Sequence, residues 1–352
     1  MQIIDGHNDT LLRLYKDEQA DWRDFLTGMP TCQVDLPRAK AGGMGAAFFA
    51  AFTPHDPRLP RLPDDGLEIT ADGYTMPLPP SLDPLYALRT TLAVLASLFR
   101  IEAASEGQVR VVRDVARLRE CLADGAFGAI AHIEGADLLD AGGNTLEVLY
   151  QAGVRSLGLV WSRANRFGEG VPFRQPSSPD TGPGLTEDGN RLVRDCNRLG
   201  ILIDLSHLNE RGFDDVARVS DAPLVATHSG VHAITPTSRN LTDRQLDAIG
   251  ASGGIVGIPF DVSMVRPDGH LNRDTPLDII AAQIDYVVDR IGIEHVCLGS
   301  DFDGAVTPHA LADASYLPDL LATLRARGHD DASLRQIASE NWLRVLGRTW
   351  RA

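Results

Sequence analysis

Lysine is nearly absent from this chain, whose 352 residues include only Lys16 and Lys40. Neither falls in a stretch that reads as a β-strand, so lysine chemistry at a strand end is excluded. Cysteine is scarce as well. Cys32, Cys121, Cys196 and Cys297 stand far apart, without the paired spacing of a zinc knuckle or a disulfide framework. Positive charge is in deficit: the formal net charge of -15 excludes nucleic acid and anionic membrane surfaces as partners, because both would repel the chain at long range. The longest apolar helix candidate, residues 85–99, carries Arg89, Thr90 and Thr91 and is too short to span a bilayer, so no transmembrane segment is expected. The first β-type run begins at residue 2, which leaves no room for a secretory leader ahead of it; the expected location is the cytoplasm. A Gly-rich phosphate fingerprint is missing after that run, which counts against the nucleotide-binding forms of a doubly wound sheet.

What is present is alternation. Apolar β-type runs occur at 2–6, 46–52, 127–133, 155–161, 201–206, 223–227, 253–260 and 295–300. Helical patterns separate many of them, at 84–106, 115–123, 186–199, 214–219, 243–249 and 277–291. Eight such runs at this length predict an α/β fold of the (β/α)8 TIM barrel type, as a single domain over 1–352. Residues 53–83 and 162–185 are rich in proline and too long for ordinary connections, so both are expected to be functional loops on the catalytic face. The last helices, around 333–350, are expected to close the barrel from outside.

Five of the eight runs stop in His, Asp or Glu. His7 and Asp9 lie two apart, a spacing that sends both side chains to one face of a strand end. Glu134 follows the third run, His207 the fifth, His228 the sixth, and Asp301 with Asp303 the eighth. One polar strand end is an ordinary cap, but five on the face where barrel enzymes do chemistry point to a metal-dependent site. The ligands allow two cations, which need a bridging anion to reduce their repulsion. With no strand lysine to be carbamylated, Glu134 is the candidate bridge. Nitrogen and carboxylate ligands without thiolate suit two divalent ions, Zn²⁺ first and Mn²⁺ or Co²⁺ as alternatives. His132 shares the face of Glu134 a layer deeper and reads as a core or supporting histidine.

The motifs IDGHNDT, DLPRAKAGGMGAAFF, HIEGAD, GVRSLGLVW, ILIDLSHL, ATHSGVHA, SRNLTD, GGIVG and LGSDFDG together resemble the membrane (renal) dipeptidases of the amidohydrolase superfamily and their bacterial relatives. The resemblance covers nearly the whole chain. It implies His7 and Asp9 on one metal, His207 and His228 on the other, and Glu134 on both. It further implies that Asp301 handles protons, that Arg239 grips the free carboxylate of a dipeptide, and that a metal-held hydroxide attacks the peptide bond. A D-residue at the C-terminal position is within the implied range, and a homodimer is allowed for.

The pattern is broken in two places. Where eukaryotic members carry a histidine at the end of strand four, this chain has Trp161; where a tyrosine is expected after strand seven, it has Asp261. Arg163 and Arg166 are the nearest groups that could supply the positive charge of the missing histidine. Two other functions remain: a different amidohydrolase acting on acyl amino acids, cyclic amides or lactams, and a barrel that binds metal and ligand without turnover.

Overall fold

The computed structural model describes residues 1–17, 21–60, 63–70 and 73–351, so residues 61, 62, 71 and 72 of the expected loop lie outside it. Eight parallel strands follow one another round a ring in chain order. They are β1 (Ile3–Asn8), β2 (Met44–Phe52), β3 (Phe127–Glu134), β4 (Val154–Gly158), β5 (Leu202–Asp204), β6 (Val225–Ala226), β7 (Ile255–Ile258) and β8 (Val296–Leu298). Hydrogen bonds draw the first and last together: Asp301 N donates to His7 O at 3.0 Å and Asp9 N to Phe302 O at 2.8 Å. The buried Asp5 carboxylate strengthens this seam, accepting from Ser300 N at 2.7 Å and from Ser300 Oγ at 2.8 Å. The expected barrel is therefore the fold. A short strand that no apolar run announced, Val109–Val111, pairs beside β3.

Helix starts are set by side-chain caps. Asp83, Asp114, Thr186 and Asn209 each accept the N–H three residues further on. The helix Pro84–Ala104 has 21 residues and is long and apolar enough to cross a membrane, which corrects the expectation that it is too short. Ala87, Thr91, Val94, Leu98 and Ile101 on one of its faces are buried, as in a helix packed on a barrel.

Two apolar layers hold the fold. One lies between the strands and the surrounding helices. The other is inside the ring, where Ile4, Phe48, Ile130, Leu202, Val225, Ile255 and Cys297 meet Trp342, Val345 and Leu346 of the helix Asn341–Thr349. The last helix thus reaches the barrel interior with a tryptophan, where the sequence suggested closure from outside. Gly6 makes the room, since a Cβ there would meet Trp342 Cζ2 at 2.6 Å and the Thr227 carbonyl at 2.7 Å. This plug fills the amino-terminal half of the ring and leaves the other end for side chains at the strand ends.

The two long loops do not stay separate. Glu68–Thr70, Gly73–Met76 and Phe173–Gln175 form a three-stranded antiparallel sheet, with Tyr74 opposite Gln175 and Met76 opposite Phe173. It lies over the open end of the ring.

Trp342→Ala should leave a large cavity in the inner layer and destabilise the protein by about 3–5 kcal/mol. Denaturant unfolding checks this, and a loss below about 1 kcal/mol would mean that the plug does not hold the ring.

Candidate metal centre

Each candidate ligand sits where a strand has just ended or is ending. His7 is the penultimate residue of β1 and Asp9 precedes the helix Thr10–Lys16; Glu134 is the last residue of β3. His207, His228 and Asp301 follow β5, β6 and β8 within three residues. His207, Asp301 and Asp303 take left-handed φ values of 67°, 59° and 68°. That region is unfavourable for residues with a Cβ and is held here by the surrounding structure, as at many functional sites.

The turns bring these side chains together. His7 Nε2 lies 3.6 Å from Asp9 Oδ2 and 3.7 Å from Glu134 Oε2. The other oxygen of the same carboxylate, Glu134 Oε1, is 3.1 Å from His207 Nε2 and 3.8 Å from His228 Nε2. Glu134 therefore stands between two groups, one oxygen to each. Asp301 joins His7 and Asp9 in a set of ligand atoms all within 4.8 Å of one another.

Hydrogen-bond partners fix the imidazole tautomers. Thr227 Oγ1 gives its proton to Asp204 Oδ2 at 2.6 Å, so at 2.8 Å it accepts from His228 Nδ1, and His228 Nε2 is left a bare lone pair. Arg239 Nη2 can only donate, and it lies 3.1 Å from His207 Nε2, which is therefore also a lone pair, with Nδ1 turned to Ser162 Oγ at 2.8 Å. The two Nε2 atoms are only 3.1 Å apart, two acceptors in contact. His7 is fully buried, and neither of its ring nitrogens has a partner among the described residues. Lone pairs aimed at one another and at a carboxylate fit divalent cations.

The charges agree. Burial raises the carboxyl of Asp301 to about 8 and that of Glu134 well above the usual range. Burial alone would lower His7, but the surrounding carboxylates of Glu134, Asp9 and Asp301 outweigh it and push the imidazole up to about 10. Burial, aided by Arg239, holds His207 and His228 far down, and burial takes His132 to about 3.

The remaining candidates divide. Arg239 is 4% exposed, and its Nε and Nη1 have no partner among the described residues. Together with Trp161 and Asp261 it lines a chamber of about 400 Å³ above Glu134 and His207. Trp161 packs against Phe52, Phe173 and His207, with ring centroids 5.0, 5.7 and 5.7 Å away. It also lines a second chamber of about 230 Å³ with Pro54, Leu78 and Pro79, and so forms part of the partition between the two. Arg163 is buried behind this wall, 3.6 Å from Asp137 and donating to Thr53 O at 2.9 Å; it borders only the second chamber. Arg166 corrects the expectation of a site contact: its side chain is 51% exposed and lies 4.0 Å from Asp188 on the helix Glu187–Leu199, outside both chambers.

Asp303, two residues on from Asp301, is committed elsewhere, accepting from Thr10 Oγ1 and Gln33 N, both at 2.7 Å. His132, expected to be a core or supporting histidine, is fully buried and bonded at Nδ1 to Ser156 Oγ at 2.8 Å. Sequence reasoning missed Ser162, Asp204 and Thr227, although Thr227 precedes His228 directly and Asp204 opens the Asp-Leu-Ser-His run. It also missed Gly304, where a Cβ would meet Asp9 Oδ2 at 2.2 Å and Asp301 Oδ1 at 2.6 Å, so the glycine keeps a cradle open beside two carboxylates.

A parallel barrel with buried imidazoles and carboxylates at its carboxyl-terminal mouth is of the metal-dependent hydrolase class. The chain belongs to the membrane dipeptidase family, peptidase family M19, whose model matches residues 1–351, and is with that a metallo-dipeptidase by class. Two solved structures have a TM-score of 0.95 with it. One, a metallo peptidase from Rhodobacter sphaeroides liganded with a phosphinate mimic of the dipeptide L-Ala-D-Ala, is 46% identical over 99% of both chains. The other, dipeptidase AC, a metallo peptidase, is 46% identical over 100% of this chain and 99% of its own. Dipeptidase verJ of Clonostachys rogersoniana is 30% identical over 98% of this chain and 83% of its own length.

Thr227→Val keeps the shape beside His228 but deletes the hydroxyl that orients it. Metal affinity measured by chelator competition should fall about 10- to 100-fold, the usual scale for such a supporting contact. Unchanged affinity would mean that the Asp204–Thr227–His228 chain does not set the ligand.

Proposed function

We propose that the chain hydrolyses dipeptides at a centre of two divalent cations, one held by His7 and Asp9, the other by His207 and His228, with Glu134 on both. The observation that carries this reading is the position of Glu134, one oxygen toward His7 and the other toward the lone pairs of His207 and His228. The donor set of imidazole and carboxylate suits Zn²⁺, with Mn²⁺ or Co²⁺ next. Bound there, such cations would make a water acidic and polarise a carbonyl.

The chain's own residues supply the rest. Asp301 is half-buried, borders the chamber and stands beside His7 and Asp9; its carboxylate accepts no hydrogen bond among the described residues. It is placed to take the proton of the attacking water and to return it to the leaving amine. Arg239 lines the chamber and has two N–H groups, at Nε and Nη1, without a partner among the described residues; it would receive the substrate's free carboxylate, and burial would strengthen that charge-assisted contact. The indole of Trp161 walls the chamber beside His207 and brings no positive charge to an oxyanion, so stabilisation there rests on the cations. The phosphinate mimic of L-Ala-D-Ala bound by the Rhodobacter relative supports acceptance of a D-residue at the C-terminal position.

The test is steady-state release of amino acids from L,L and L,D dipeptides by the wild type, Asp301→Asn and Asp303→Asn, with metal content measured on each. Wild type should cleave a dipeptide but not its C-terminal amide. Asp301→Asn should keep metal and lose about 10²-fold or more in kcat, while Asp303→Asn, which weakens the contacts to Thr10 and Gln33, should mainly lower the unfolding temperature. Equal cleavage of the amide, or the reverse behaviour of the two aspartates, would overturn these roles.

A further inference from the structure

Asp261 is a charged group in the chamber wall that the proposed reaction does not use, as are Arg13, Lys16, Asp65 and Asp303; unlike them it stands within electrostatic reach of Arg239. Asp261 precedes the short helix Val262–Val265, and its Oδ1 accepts from Ser263 N at 2.9 Å and from Ser263 Oγ at 3.0 Å. Its other oxygen accepts no hydrogen bond, and no cation forms an ion pair with it, among the described residues. Half-buried in the wall that also holds Arg239, the carboxylate is partly desolvated and unpaired. A half-buried charge without a partner is costly unless a ligand supplies one.

On the proposed reading, Arg239 receives the substrate's terminal carboxylate. The same end of the chamber then presents one positive and one negative group to the C-terminal residue. A residue carrying only its α-carboxylate satisfies Arg239 and leaves Asp261 facing an added negative charge. A residue with a basic side chain satisfies both. Met76, Phe173 and Met264 line the same chamber and can cover the methylene stem of such a side chain.

We infer that Asp261 is a specificity-determining residue that selects dipeptides with a basic C-terminal side chain, such as lysine, ornithine or arginine, and rejects acidic ones. The inference rests on the dipeptidase reading and names its substrate class. Rejection comes from like charge as much as selection from opposite charge.

The experiment compares kcat/KM for Ala-Lys, Ala-Ala and Ala-Glu, with the C-terminal residue in whichever configuration the enzyme accepts, for the wild type and for Asp261→Asn. Asparagine keeps an oxygen for Ser263 and the shape of the turn while removing the charge. Wild type should prefer Ala-Lys over Ala-Glu by about tenfold or more, and Asp261→Asn should bring that ratio close to one. A wild-type ratio near one overturns the inference without any variant being made. So does an Asp261→Asn enzyme that loses the same factor on all three substrates, which would make Asp261 only a distant counter-charge for Arg239. Failure of the dipeptidase reading shows differently, as no turnover of Ala-Ala by the wild type, and would take this inference with it.

Discussion

The buried contact between His207 Nε2 and His228 Nε2, two lone pairs 3.1 Å apart beside a carboxylate, is the constraint on which the rest of the site depends. Neither ring can supply a proton to it, because the hydroxyls of Ser162 and Thr227 hold the protons of both rings on the far nitrogens, and the protein's one donor there, Arg239 Nη2, reaches only His207 Nε2 among the described residues. A structure that spends buried volume on mutually repelling acceptors, and holds His207 and Asp301 at left-handed φ to do so, needs cations at that place. Three carboxyl groups, of Asp9, Glu134 and Asp301, surround one imidazole here. The barrel makes this arrangement affordable in fold terms: its amino-terminal half is packed around Trp342, and its other half is left for function.

Much of this was legible in the sequence, for a physical reason. A barrel strand buried on both faces shows as a short apolar run, and a ligand shows as a His, Asp or Glu that ends one; all five proposed metal ligands were found so. Strand ends were less legible: β6 is only Val225–Ala226 within an expected run of five, because turns to the ligands begin as soon as the chain leaves the ring. The sheet over the mouth had no local signal at all. Its strands are three or four residues long and come from loops about a hundred residues apart, so pairing alone defines them.

Neighbouring residues of one type could not be separated by pattern. Arg163 and Arg166 are three apart, yet one is buried against Asp137 and the other lies in solvent near Asp188. Asp301 and Asp303 are two apart, a spacing that shares one face of a strand, but both lie beyond β8 at positive φ, where strand alternation no longer applies. Hydrogen bonds to Thr10 and Gln33 then assign Asp303 to holding the first helix and its following loop. The helix Pro84–Ala104 follows the expected helical pattern at 84–106, but its apolar length is underestimated when only 85–99 is counted as apolar; Thr90 and Thr91 lie on its buried face.

The central claim is that two cations resolve the repulsion around Glu134, and metal analysis of Glu134→Ala beside the wild type tests it most directly. The account predicts about two divalent ions per wild-type chain, activity lost on chelation and restored by Zn²⁺, and both ions weakened together in the variant. Loss of a single ion in Glu134→Ala would place the bridge elsewhere, and a fully active wild-type preparation free of metal would contradict the account outright.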